Sequence, residues 1–141
     1  MSTRCQVVVI QEGLGWDEKV TLYHHSDGYP SNIIPLIKKA FEYKGEYTNG
    51  WEKGRAGKVS SFLCWADPGA FEPEDGHELH GDIEYLYRLF VVNQNMGSIG
   101  ESPRWEVEIL VPKAGFWENC DQEHLKVSQK RTPLDKVKIE D

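Results

Sequence analysis

The stretch KVTLYHHSDGYPSNIIPLIKKAF, residues 19–41, carries the chain from extended into helical structure. Polar and apolar side chains alternate through Lys19–His25, which is typical of a strand. The dipeptide Asp27–Gly28 then predicts a tight turn, and Pro30 restricts the residue before it to extended geometry. From Ile33 onward the apolar residues recur at helical spacing. We therefore interpret the motif between strand and helix as a device that bends the main chain.

The rest of the chain supplies further pairs of elements. A short β-branched run, Cys5–Gln11, precedes the strand at 19–25 and predicts a first hairpin. A second helical stripe covers residues 56–66. The runs Ile83–Val92 and Trp105–Val111 have the composition of strands and predict a second hairpin. The expected fold is α+β, with an antiparallel sheet of about four strands from two hairpins, two helices packed on one face (ββααββ) and an irregular C-terminal tail.

The length of the chain, 141 residues, suits one domain, and no linker or internal repeat divides it. We expect a single α+β domain over residues 1–117. Beyond Pro112 the periodic pattern fades. Residues 118–141 are therefore predicted to form a C-terminal extension that is partly helical or poorly ordered.

Charge and composition narrow the classes of partner. The formal net charge of −7 disfavours a nucleic-acid binder, because contacts to phosphates need a basic face. The N-terminal apolar stretch is too short for a membrane span or a signal peptide. Cys5, Cys64 and Cys120 are widely spaced and form no CxxC pair, which indicates reduced thiols in a cytoplasmic protein. The sequence indicates no cofactor, the expected partner is another protein, and homo-oligomers remain open.

Three motifs resemble those of a known family. They are STRCQVVVI at the start, LYHHSDGYP after the second strand and GDIEYLYRL at the third. Small uncharacterised proteins of bacteria, archaea and their phages share a Thr-Arg start, a His-Ser-Asp-Gly-Tyr-Pro motif and a Gly-Asp-x-Glu-Tyr-x-Tyr motif. His24 stands here where arginine is common in that family. The resemblance implies a prokaryotic or phage source and no particular activity.

The candidate ligand-binding residues are His25, Asp27, Tyr29, Tyr85 and Tyr87. Histidine titrates near neutrality and pairs with carboxylates in acid–base chemistry, while two tyrosines on one strand face can line a pocket. The competing interpretation is structural. A turn explains the first three residues by local chemistry, and buried tyrosines commonly extend their hydroxyls to the surface.

A metal site is a further hypothesis. Imidazole and carboxylate ligands are available from His24, His77, His80 and Asp82, and the spacing of His77 and His80 suits one helical turn. The flanking glycines favour an exposed polar loop instead. His24 and His25 point to opposite faces of a regular strand, so they cannot share one ion.

Acidic charge, many aromatic residues and the lack of a catalytic motif favour a soluble, non-enzymatic protein-interaction or accessory domain, of the kind carried by phages and mobile elements. The alternative is a small metal-assisted hydrolase or ligand-binding protein that uses His25, Asp27, His77 and His80. Mimicry of DNA by the acidic surface ranks third, because it rests on charge alone.

Overall fold

Six strands and three α-helices make up the described part of the chain, residues 3–44, 51–74, 79–93 and 103–141, in a computed structural model. The strands are β1 (Cys5–Glu12), β2 (Lys19–His24), β3 (Phe71–Glu74), β4 (Tyr85–Val92), β5 (Arg104–Pro112) and β6 (Leu125–Pro133). The helices are α1 (Pro30–Phe41), α2 (Ala56–Ala66) and the single-turn α3 (Phe116–Asn119). Short 3-10 turns cover Trp51–Gly54, Gln122–His124 and Leu134–Lys136.

The strands form one mixed sheet in the order β3-β2-β1-β4-β5-β6. β1 and β4 pair in parallel, whereas every other neighbouring pair is antiparallel. The α+β class is confirmed, but the predicted antiparallel sheet of four strands with two helices is wrong. Parallel neighbours need a crossover connection, and here the chain crosses one face through α1 and α2 before it returns as β4 beside β1.

The two strands that the sequence did not reveal lie at the edges of the sheet. β3 has one buried apolar residue, Phe71, followed by Glu-Pro-Glu, and most side chains of β6 are exposed. Edge strands tolerate charged residues and proline, so their hydrophobic pattern is weak. The predicted irregular C-terminal tail is wrong, because Leu125–Pro133 pairs with β5 and α3 adds a helical turn.

Both faces of the sheet carry a buried cluster. On one face, which we call the helix face, Val7 and Leu22 pack with Ile33 of α1 and other residues of both long helices. On the opposite face, which we call the α3 face, Val8 packs with Phe116 of α3. Successive side chains of a strand point to opposite faces, so β1 contributes to both clusters.

The segment between β2 and α1 bends sharply at two adjacent residues. Asp27 has a φ of +52°, in the left-handed region that glycine and short polar residues adopt most readily. Gly28 packs directly on β1: its N–H donates to the carbonyl of Thr3 over 2.8 Å. A Cβ at this position would lie 2.9 Å from the Cβ of Cys5. The bend therefore depends on backbone shape at both positions.

The segment after β6 returns along the sheet to the start of α1. The side chain of Gln129 exchanges two hydrogen bonds with the main chain of Lys138, over 2.6 and 3.0 Å. The carboxylate of Asp141 accepts from the N–H and the hydroxyl of Ser31, over 2.9 and 2.7 Å. The N-cap residue Tyr29 makes no side-chain capping bond, so Asp141 supplies an acceptor to the first turn of α1 from a remote part of the chain.

Candidate binding site on the α3 face

The α3 face carries a connected group of polar side chains at the end of the sheet where β1 and β4 begin. The group draws on four parts of the chain: the start of β1, β2, the end of β3 and the approach to β4. Pairing of β2 with both β1 and β3 brings these parts together. We call this group the His80 network, and it consists of Arg4, Gln6, Tyr23, Glu74, His80 and Asp82.

Tyr23 is the buried aromatic residue of the network and bonds to the partly exposed Asp82. The Tyr23 hydroxyl donates to Oδ2 of Asp82 over 2.8 Å, and Tyr23 is only 4% exposed. Burial, and after it the hydrogen bond to this carboxylate, raises the pKa of Tyr23. The phenol therefore remains a hydrogen-bond donor at neutral pH. Arg4 places its Nε 3.5 Å from the same oxygen and supplies the opposite charge.

His80 stands between two carboxylates. Its Nε2 contacts Glu74, and its Nδ1 lies 4.0 Å from Oδ1 of Asp82. The imidazole packs on the ring of Tyr23 with 4.4 Å between ring centroids. Gln6 fixes this arrangement, because its amide donates to Glu74 over 3.1 Å and accepts from the main-chain N–H of His80 over 3.1 Å. The His80 side chain is still 39% exposed, so a partner molecule can reach it.

His25 extends the site toward the β3 edge of the sheet. Its Nε2 lies 2.9 Å from the carboxylate of Glu72, and both side chains are exposed. Its ring meets Tyr23 edge-on, with 4.6 Å between centroids. Tyr23 consequently contacts both His25 and His80.

One oxygen of Asp82 lacks a donor. Oδ1 is buried and accepts no hydrogen bond from the described residues, although Oδ2 has both Tyr23 and Arg4 nearby. A buried acceptor without a donor costs roughly 1–3 kcal/mol. Because Oδ1 is buried, a donor on another molecule reaches it only if neighbouring side chains move.

Trp117 lies beside the network on α3. Its side chain is 68% exposed, although the preceding residue, Phe116, is buried in the α3-face core and anchors the helical turn. A Cβ on Gly81 would lie 3.1 Å from the carbonyl oxygen of Trp117 and 3.6 Å from Cε3 of its indole. Gly81 separates His80 from Asp82 in the chain, so the exposed indole borders the network.

Three of the candidate ligand-binding residues lie on the helix-face side of the sheet instead. Tyr87 is buried, and its hydroxyl donates to the carbonyl of Gly28 over 2.6 Å. Tyr85 stacks on Tyr87 with 6.1 Å between centroids, and Tyr29 meets Tyr85 edge-on at 5.9 Å. The structure thus brings the three tyrosines together but separates them from His25. Their contacts with one another and with Gly28 stabilise the turn and the core.

Asp27 and His24 also have contacts within the fold. Asp27 is exposed, and its carbonyl accepts from the side chain of Asn32 over 2.8 Å. His24 is 2% exposed on the helix face, where its Nε2 lies 2.9 Å from Oδ2 of Asp67 at the end of α2. The sheet therefore stands between His24 and His80.

The four candidate metal ligands fall into different places. His24 lies on the helix face, whereas His80 and Asp82 lie on the α3 face. His77 is outside the described residues. Within residues 3–44, 51–74, 79–93 and 103–141, no group of three or more His, Cys, Asp and Glu side chains is placed to hold one metal ion.

Sequence analysis did not identify Gln6, Tyr23, Glu74 or Trp117 as site residues. Tyr23 could have been identified from the sequence, because it lies two residues before His25 and therefore on the same face of the predicted strand. Glu74 had no such signal, since its segment was interpreted as a loop and its pairing with β2 is a long-range contact. Trp117 had no signal either, because its position beside Gly81 is a contact between distant parts of the chain.

No protein-family model, curated protein or solved structure matches this chain. The motif resemblance therefore stays a prediction. Among the described residues, no helix is long and apolar enough to cross a membrane.

Proposed function

We propose that this chain is a non-enzymatic protein-interaction domain that binds its partner at the His80 network and Trp117. The observation that carries the proposal is the Trp117 indole, 68% exposed, beside a network whose His80 imidazole is itself 39% exposed between two carboxylates. Tryptophan is enriched among the residues that dominate binding energy at protein interfaces.

The charge of the surface indicates the chemistry of the partner. Glu72, Glu74 and Asp82 contribute carboxylates against the single guanidinium of Arg4. The face of an indole attracts cations as well. A lysine or arginine side chain from a basic segment can therefore pair with these carboxylates and pack on Trp117. An overall formal charge of −7 favours the same encounter at longer range.

The proposal includes a cytoplasmic location and a protein partner. The cysteines Cys5, Cys64 and Cys120 are free thiols, as in proteins of reducing compartments. The motif resemblance extends the proposal to an accessory role in a prokaryote or one of its phages.

Isothermal titration calorimetry with a Gly-Lys repeat peptide of about eight residues tests the proposal, with a Gly-Glu repeat of equal length as the reference ligand. We expect the Lys peptide to bind in a way that depends on Trp117 and Asp82, whereas any binding of the Glu peptide should be unaffected by changes at these two residues. Trp117→Ala and Asp82→Asn should each weaken binding by about tenfold, which corresponds to about 1.4 kcal/mol.

Trp16→Ala is the matched control. Trp16 is 51% exposed in the loop between β1 and β2, away from the network, so its removal should leave the affinity unchanged. Melting curves check that each variant folds. The proposal fails if the Lys peptide does not bind, or if folded Trp117→Ala and Asp82→Asn bind it as tightly as the parent chain.

The metal-assisted alternative keeps one supporting observation. His25 and His80, two of its four residues, both contact Tyr23 and each has a glutamate within reach. Elemental analysis of the purified protein decides between the two functions. A stoichiometric transition metal that disappears in His80→Ala would replace the interaction-domain proposal.

A further inference from the structure

A second surface lies at the opposite edge of the sheet, on β6. This strand is last in the sheet order, and β5 is the neighbour to which it is hydrogen-bonded. No other strand of the described residues pairs with its outer side. A strand in such a position presents main-chain N–H and C=O groups that can pair with an extended segment.

β6 is a basic element in an acidic chain. It contains Lys126, Lys130 and Arg131 and no acidic residue, whereas the whole chain has a formal charge of −7. Arg131 is already paired with Glu12 and Glu106 on the same sheet. Lys126 and Lys130 are exposed, and neither forms an ion pair with a described residue. Their two positive charges are therefore not neutralised by an ion pair, although Glu140 and Asp141 line the same surface depression as Lys126.

These lysines decide which segments can pair with the strand. Like charges oppose the pairing of β6 with β6 of a second copy, and lysine on an edge discourages uncharged strands. An acidic strand would instead gain from both lysines. Val127 is 53% exposed between the two lysines and offers an apolar contact to the same segment.

We propose that β6 binds an extended, acidic segment of a partner protein by strand addition. Main-chain hydrogen bonds with β6 supply the general affinity, as in other cases of strand addition. Carboxylates next to Lys126 and Lys130 supply the selectivity, and an apolar side chain covers Val127. The surface is separate from the His80 network, because β3 and β6 are opposite edges of the sheet.

NMR titration of the ¹⁵N-labelled chain tests this with a Glu-Val repeat peptide of about eight residues. We expect shift changes and slower amide exchange along residues 125–133. The double variant Lys126→Glu/Lys130→Glu should weaken binding by at least about tenfold. Lys58→Glu/Lys113→Glu makes the same charge change at exposed lysines outside β6 and should bind nearly as the parent chain does.

A Lys-Val repeat peptide is the reference ligand, and any shifts that it causes should lie at the His80 network and not on β6. The proposal is overturned if the Glu-Val peptide causes no shifts or causes them only outside residues 125–133. It is also overturned if the double variant binds as tightly as the parent chain, or if both peptides cause equal shifts on β6. A second copy of the chain is the other molecule that could pair with β6, and sedimentation of the free chain tests for it. A dimer in which the β6 amides are protected from exchange would show that a second copy occupies this edge.

Discussion

At the scale of single residues, the bend between β2 and α1 shows why Asp27 need not be a catalytic or ligand-binding group. Its φ of +52° is tolerated by aspartate and asparagine and is strained for β-branched residues. Its recorded contact is through the main-chain carbonyl, which accepts from Asn32. The conformation alone therefore explains the residue type.

Substitution of Asp27 separates backbone shape from carboxylate chemistry. Asp27→Gly should keep the free energy of unfolding within about 1 kcal/mol of the parent value, because glycine adopts a positive φ freely. Asp27→Val should lower it by roughly 1–2 kcal/mol, because a branched side chain is strained there. Urea unfolding measures both. Equal losses in the two variants would show that the carboxylate itself stabilises the fold.

Cys5 makes the stability of the fold sensitive to alkaline pH. Burial raises the pKa of this thiol, so the folded chain keeps a proton that the unfolded chain releases. The associated stability is complete below the ordinary thiol pKa of about 8.5 and is lost as the pH rises above it.

Cys5→Ala should remove this dependence. Between about pH 8 and pH 10 the parent chain should lose roughly 1.5 kcal/mol more of its free energy of unfolding than the variant loses. Urea unfolding at the two pH values gives the difference directly. Parallel losses would mean that the Cys5 thiol ionises as readily in the folded chain as in the unfolded one.

At this scale the sequence predicted the side of the sheet to which a strand residue points, but it did not predict which residues that side chain contacts. Strand alternation correctly placed His24 and His25 on opposite faces. It could not show that Tyr23 bonds Asp82 or that His80 contacts Glu74, because those contacts join segments whose approach depends on strand pairing. Site residues within one element are thus easier to predict than a site that several elements build.

At the scale of elements, the first turn of α1 depends on the C-terminal segment. Asp141 accepts two hydrogen bonds from Ser31, where a helix otherwise leaves main-chain donors without partners. A negative charge near a helix N-terminus is also favoured by the helix dipole.

Asp141→Ala should therefore lower the free energy of unfolding by about 1 kcal/mol, the usual value of a capping side chain. Glu140→Ala removes the same charge from the neighbouring residue and should cost less than about 0.5 kcal/mol. Thermal or urea unfolding of both variants checks this. Matching losses would show that Asp141 acts through general charge and not through the bonds to Ser31.

Elements with a buried apolar face were predictable, and elements at the sheet edges were not. The apolar stripes of α1 and α2, the β-branched run of β1 and the alternation in β5 indicated the correct structure types. β3 and β6 lack such a pattern, because solvent on their outer side leaves few positions that must be apolar. Glu74 was not predicted as a site residue for the same reason, because it belongs to the edge strand β3.

At the scale of the whole molecule, strand order was the feature that sequence could not determine. Two hairpins are compatible with several sheets, and local periodicity is the same in all of them. The observed order puts β1 between β2 and β4 at the centre and leaves β3 and β6 at the edges. Central strands open only when the whole fold opens, whereas edge strands can fray separately.

Hydrogen exchange should report this order. The slowest amides are expected in β1 and β4, with free energies of opening close to that of global unfolding. Amides on the outer side of β6 should exchange much faster. If β6 is as protected as β1 in the free chain, its edge is covered, and the proposed docking of an acidic segment loses its basis.

The parallel pairing of β1 with β4 also affects how the chain is made. Cys5 pairs with His24 within the first hairpin but also with Tyr85, which the ribosome adds much later. Until then one edge of the apolar strand β1 has no strand to pair with, and such an unpaired edge favours aggregation of neighbouring nascent chains. Closing so long a loop is slow, so expression yield should respond to chaperone supply and to translation speed more strongly than the chain's modest size suggests.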